Sequence, residues 1–197
     1  MGVAQVYIDT DFVDEAGYRE AFVRRIFDRG RRWLGGVQFD MLPWHTDPAM
    51  LGYLLKVRRM DDAPERVLLQ CHARALEALG PKEVAKRLGD YALSGAIDYV
   101  LFDASHGRGR RLDAARLRPY LDEAYGSGDL AGVGIGIAGG LDGQAVREDV
   151  PTLVGVYPEL SWDAEGRLHP ERGGGSRPLD MPKVLDYLLA SAEVIRG

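Results

Sequence analysis

In the stretch Ile97-Asp-Tyr-Val-Leu-Phe-Asp-Ala-Ser-His-Gly-Arg-Gly-Arg-Arg-Leu-Asp113, a strand, a charged strand end, a glycine loop and a helix cap follow one another without a gap. The unbroken apolar run Tyr99 to Phe102 predicts a parallel strand covered on both faces, because a half-exposed strand alternates apolar with polar residues. Asp103 falls at its carboxyl end, where an aqueous pocket begins. Gly107 and Gly109 let the loop turn tightly, and Arg108, Arg110 and Arg111 place positive charge beside it, so the loop suits an anion. Asp113 is an N-cap for a helix whose Leu117, Tyr120, Leu121 and Ala124 recur at helical spacing.

The same alternation of strand-like and helix-like segments runs from one end of the chain to the other, with no low-complexity linker, which predicts one α/β domain over 1–197. Val3 to Asp9 is the first strand. An amphipathic segment with Tyr18, Phe22, Val23, Ile26 and Phe27 on its apolar stripe follows, closed by Gly30, Gly35 and Gly36. Val37 to Leu42 is the second strand, Asp47-Pro48 opens a helix, and Val67 to His72 is the third strand. A helix from Ala73 to about Tyr91, broken near Gly80-Pro81, leads to the strand at Tyr99. Val133-Gly-Ile-Gly-Ile-Ala-Gly-Gly-Leu141 is a fifth strand whose glycines either thin it for packing or let a ligand approach. A sixth lies within Leu153 to Trp162. The polar segment Gly166 to Arg177 precedes a last helix capped by Asp180, with Val184, Leu185, Leu188 and Leu189 as its apolar face.

Repeating βα units with charged and glycine residues at strand ends predict a (β/α)8, TIM-barrel-like domain, with a doubly wound open sheet as the alternative. Only six units are visible in the sequence, against eight strands in a full barrel. Either two strands lie hidden in other segments, or the barrel is incomplete and a second subunit of a homo-oligomer covers its open side.

Composition narrows the function. With 197 residues and 46% hydrophobic side chains the chain suffices for one sizeable core. A net charge of −5 argues against a nucleic-acid partner, and Arg24-Arg25 and Arg29 to Arg32 read as a solvated helix end. Cys71 is the only cysteine, which excludes an internal disulfide and fits a reducing, cytoplasmic setting. No apolar run reaches the eighteen or so residues of a membrane span, and the amino terminus lacks the pattern of a secretory signal.

The carboxyl-terminal half has a family look. Leu101-Phe-Asp-Ala-Ser-His-Gly-Arg-Gly with Leu112-Asp113, then Ile137-Ala-Gly-Gly-Leu141, Leu160-Ser-Trp-Asp-Ala-Glu165, and Leu179-Asp180 to Val184 together resemble the last three βα units of phosphoribosylanthranilate isomerase-like TIM barrels. The resemblance implies a catalytic aspartate at Asp103, followed by a glycine loop, and a phosphate-binding turn at Gly139-Gly140, with Ser161 in the last strand's share of the phosphate site. Val37-Gln-Phe-Asp40 is faintly similar to the family's Val-Gln-Leu-His strand. The family's Cys-Gly-Ile motif, source of its base, is absent, and Ser161-Trp-Asp-Ala-Glu replaces its Ser-Gly-Val-Glu turn. The implied function is an Amadori-type aldose-ketose isomerisation of a phosphorylated sugar derivative, with no cofactor.

That reaction needs an acid at the ring oxygen and a base at the neighbouring carbon. Asp103 is the candidate acid, provided burial raises its pKa; otherwise it only caps the Gly107-Gly109 loop. Cys71 is a substitute base or inert core, and His72 an acid-base partner or a strand-end hydrogen-bonder. Gly107, Arg108, Gly109, Gly139, Gly140 and Ser161 are the candidate substrate and phosphate contacts, His106 a turn residue or a substrate contact, and Gly173 to Arg177 a lid or a plain loop. Two other function classes fit the residues: a divalent-metal enzyme using Asp9, Asp40, His72 and Asp103 at strand ends, and a non-catalytic binding or assembly protein that keeps only the anion pocket.

Overall fold

The computed structural model describes residues 2–7, 25, 34–40, 48–49, 52, 66–105, 111–170 and 178–197. Its centre is a parallel sheet of six strands: β1 (Gly2–Tyr7), β2 (Leu34–Asp40), β3 (Arg66–His72), β4 (Tyr99–Asp103), β5 (Gly134–Ala138) and β6 (Ser161–Trp162). Each strand pairs with its sequence neighbour in the order β1-β2-β3-β4-β5-β6. Crossovers between parallel strands are right-handed in nearly all folds, so an order that never reverses places the connecting helices on one face. The doubly wound alternative requires a reversal, and there is none among the described strands.

The side-chain period of two divides the sheet cleanly. On β3, Val67, Leu69 and Cys71 are buried, while Leu68, Gln70 and His72 on the opposite face are half-buried. The buried set continues through Val100, Phe102, Ile135 and Ile137, and packs against helices α1 (Ala73–Leu93), α2 (Ala114–Gly126) and α3 (Gly143–Glu148). From those helices come Leu76, Leu88, Leu117, Leu121 and Val146, none more than 1% exposed. The Tyr120 hydroxyl donates to the Leu76 carbonyl at 2.7 Å, tying α2 to α1.

Local signals place the helix ends. Asp113 accepts from the Arg116 amide at 3.0 Å, and Asp180 caps the last helix by accepting from Lys183 at 3.4 Å. The predicted break in α1 is present: Gly80 takes φ 73°, outside the helical region, and Pro81 restarts the helix beyond it. Pro48 and Ala49 are helical, as the Asp47-Pro48 start predicts, and Arg25 is helical and exposed.

The sixth strand falls within Leu153 to Trp162, at Ser161–Trp162, preceded by a short helix α4 (Val150–Val154) whose Pro151 sits in its first turn. One expectation needs correction. The last helix, α5 (Met181–Arg196), buries a different stripe from the leucine face expected. Ala190 is buried and Tyr187 and Val194 pack on the core, while Leu185, Leu188 and Leu189 are more than half exposed. Polar anchors turn the helix this way. Trp162 Nε1 donates to Ser191 Oγ at 3.0 Å, the Tyr187 hydroxyl donates to the Trp162 carbonyl at 3.3 Å, and Arg147 on α3 pairs with Asp186 and Glu193.

Phe102 sits at the middle of this core, fully buried and 6.5 Å from the Tyr120 ring. Phe102→Ala is expected to lower stability by about 3–5 kcal/mol, read from urea unfolding; a loss below about 1 kcal/mol would mean that the sheet does not pack on α2 as described.

Candidate active site

At the carboxyl rim of the sheet, register alone brings titratable groups together. His72 pairs with Asp103, and Asp103 with Ala138. Beyond the pairs Gly136↔Ser161 and Ile137↔Trp162, the Asp163 amide donates to the Ile137 carbonyl at 2.9 Å, so Asp163 extends the same row past β6. His72, Asp103 and Asp163 therefore share the face opposite the helices. Asp103 and Asp163 are two strand spacings apart, about 10 Å between Cα atoms, with Ala138 on the strand between them.

Asp103 is 8% exposed and its carboxylate is held at both oxygens. Oδ1 accepts from the Ser105 amide at 2.8 Å, and Oδ2 accepts from Gln70 Nε2 at 3.1 Å. Gln70 Oε1 in turn accepts from Gln38 Nε2 at 2.8 Å, so a chain of carboxamides crosses β2, β3 and β4 and ends on the carboxylate. Both groups facing Asp103 are donors. Both oxygens of the carboxylate are thus matched to donors.

Asp163 has the opposite setting. Although Asp163 is exposed, partial removal of its carboxyl from water holds it above the ordinary aspartate value, and the negative charges of Glu165 and Asp103 push in the same direction against the Ala164 amide, which lowers it.

Gly139 and Gly140, at φ 99° and 67°, turn the chain from β5 toward α3. The turn lies against the aspartate: a Cβ at Gly139 would stand 2.2 Å from Asp103 Oδ1 and 2.8 Å from Ser105 Oγ, so no side chain fits there. Arg167 donates to the Gly140 carbonyl at 3.2 Å and pairs with Asp142 at 3.0 Å. Asp142 also caps α3 by accepting from the Ala145 amide at 2.8 Å. The glycines inside β5 serve packing: a Cβ at Gly134 would collide with the Tyr99 ring, and one at Gly136 with Ser161 Oγ and Leu101.

The other candidates separate. Cys71 pairs with Phe102 on the helix face, away from Asp103, is fully buried, and its thiol is pushed up to about 12 by burial, so it does not join the rim as a base. His72 is on the rim, where its Nδ1 accepts from the Arg74 amide at 3.2 Å and caps α1. Ser161 lies one row below the rim and donates to the Ile135 carbonyl at 3.1 Å. Asp9, His106, Gly107, Arg108, Gly109 and the Gly173 to Arg177 stretch lie outside the described residues, and Asp40 is placed only by its backbone pairing with Gln70. Among the described residues no three His, Cys, Asp or Glu side chains gather as a metal site, and no helix is long and apolar enough to cross a membrane. Gln38, Gln70, Ser105, Asp163 and Arg167 were not singled out in the sequence. Asp163 had the same signal as Asp103, an acidic residue directly after an apolar strand, but the strand is too short to stand out.

Two measurements check this arrangement. A water-soluble disulfide reagent at pH 8 is expected to leave Cys71 unmodified until the protein is denatured, and rapid labelling of the native protein would contradict its burial. The folded chain holds the Asp163 proton more tightly than the unfolded chain, so its contribution to stability is present at low pH and is lost as pH rises through the raised folded value. Asp163→Asn is thus expected to raise the Tm at pH 7, with the gap closing as pH falls toward the ordinary aspartate value of about 3.9; a gap independent of pH would show that Asp163 titrates like a free side chain.

Searched against protein-family models the chain matches none, and no curated protein matches it.

Proposed function

We propose that the chain is an acid-base isomerase of the phosphoribosylanthranilate isomerase kind, acting on a phosphorylated sugar derivative at the carboxyl rim of a TIM-barrel-like sheet. The observation that carries this reading is the Asp103 carboxylate, buried at the end of β4 and held by Ser105 and Gln70 on the rim row it shares with Asp163. The unreversed strand order supports the barrel, since a singly wound sheet covers its second face by curling on itself. Closure brings the β1 edge round toward β6 and gives the exposed leucines of α5 a neighbour.

In the reaction, Asp163 gives a proton to the ring oxygen of the aminoaldose as the ring C–O bond breaks, leaving an open-chain iminium. Asp103 then removes the proton from the adjacent carbon, and the electron pair of that C–H bond forms the enolamine that tautomerises to the aminoketose. No net oxidation occurs. The Gly139-Gly140 turn, braced by Arg167, holds the phosphate end, together with the Gly107-Arg108-Gly109 motif that follows β4 in the sequence.

Asp103→Asn tests the reading directly. The amide retains an oxygen for the Ser105 N–H, and flipping Gln70 and Gln38 together restores a donor-acceptor match, so the fold should persist. Turnover of phosphoribosylanthranilate, followed by the fluorescence of its aromatic ring, is expected to fall by about 10²- to 10⁴-fold in kcat with little change in the Kd of a reduced product analogue. Unchanged turnover in the variant, or none in the wild-type protein, would overturn the assignment.

A further inference from the structure

Three side chains on successive strands, on the face opposite the helices, form one directed chain. Gln38 stands in register with Leu68, two residues before Gln70, and Gln70 with Leu101, two residues before Asp103, so each link climbs two residues toward the carboxyl rim. Gln38 Nε2 donates to Gln70 Oε1 at 2.8 Å, and Gln70 Nε2 donates to Asp103 Oδ2 at 3.1 Å. A pair of glutamines has no direction of its own, because turning both amides over exchanges donor and acceptor and leaves the bond between them intact. An ionised carboxylate accepts only. Asp103 therefore fixes Gln70 with its NH2 group toward the rim, and Gln38 holds Gln70 Oε1 from behind.

We infer that Gln70 is a positioning residue for Asp103, and that Gln38 acts through it. The last torsion of an aspartate side chain is broad, so rotamer preference does not set the plane of its carboxylate. Donors on the two oxygens do: the Ser105 amide holds Oδ1 at 2.8 Å, and Gln70 holds Oδ2. Each donor takes up one lone pair of its oxygen, and the lone pairs that remain keep a constant direction. The inference rests on the isomerase reading for what the carboxylate does, which is to remove a proton from carbon, a step that demands aligned reacting groups. It goes beyond that reading in assigning the alignment to β2 and β3, strands that supply neither the acid nor the base. Gln70 moves no proton in the net reaction; it sets the direction in which Asp103 receives one.

Substitutions at position 70 test this with and without substrate. Gln70→Glu puts a second carboxyl against Asp103 Oδ2; the two share one proton more readily than both ionise, so the pair holds a proton above the ordinary glutamate value of about 4.3. A value raised in the folded state gives stability at low pH that is lost as pH rises. The Tm gap to the wild-type protein is thus expected to widen from about pH 5 to about pH 8, and most of that widening to vanish when Gln70→Glu is compared with its parent in an Asp103→Asn background. Asp40, in register with Gln70, and His72 and Asp163 on the rim are common to both members of each comparison. A gap that ignores pH, or that widens as much in the Asp103→Asn background, would overturn the inference. In turnover, Gln70→Met is expected to lower kcat about tenfold or more, the worth of a hydrogen bond to a charged group, with the Kd of the reduced product analogue unchanged within about twofold. Gln70→Glu is expected to recover turnover relative to wild type at acid pH, where the shared proton replaces the missing donor, and to lose it toward alkaline pH. Unchanged kcat in Gln70→Met would reduce Gln70 to a structural role and sink this assignment alone. No turnover by the wild-type protein would overturn the isomerase reading and this assignment together, whatever the melting curves show.

Discussion

The register between β3 and β4 is the constraint on which the rim depends. His72 stands opposite Asp103 and Cys71 opposite Phe102, and because side chains alternate with a period of two, a slip of one residue would exchange the two faces. Such a slip would drive Asp103 into the helix layer and expose Phe102. Burial of Leu69, Cys71, Val100, Phe102, Ile135 and Ile137 against α1, α2 and α3 makes that exchange prohibitive. The polar face inherits its order from the apolar one: Gln70, Asp103 and Asp163 are where they are because their neighbours in sequence are locked into the core.

On that polar face, two carboxyl groups of similar intrinsic acidity are given different surroundings. Asp103 lies inward, among amide donors that come from β3 and from the turn after its own strand. Asp163 lies past the end of β6, exposed, with one backbone amide, that of Ala164, on its carboxyl and the charges of Glu165 and Asp103 facing it. Both are carried by strand ends, and the β5 turn packs on Asp103 so closely that only glycine fits at position 139, which holds the carboxylate more firmly than a surface loop would.

Features that depend on a few adjacent residues were legible without tertiary structure. The β4 strand was read to the residue, the Asp113 and Asp180 caps were placed, and the break at Gly80-Pro81 follows from glycine's freedom and proline's missing donor. Asp103 was legible as a strand-end residue for the same reason. The α5 face was not: Leu185, Leu188 and Leu189 form the more apolar stripe, but two polar anchors from outside the helix, Trp162 on Ser191 and Arg147 on Asp186 and Glu193, bind its other side. Those partners are distant in sequence, and hydrophobic periodicity carries no information about them.

The sequence by itself determined the alternation of strands and helices, the helix boundaries and the presence of an acidic strand end, because each follows from propensity and pattern within a few residues. Tertiary structure alone decided which face each strand residue occupies, and so that Cys71 is core while its neighbours Gln70 and His72 face the rim side. It decided that Asp163 shares a row with Asp103, that Gln38 and Gln70 relay hydrogen bonds to the carboxylate, and that the Ser105 hydroxyl is buried beside it. Those relations join residues on different strands, and only the pairing of the strands, fixed by burial of the opposite face, brings them within reach of one another.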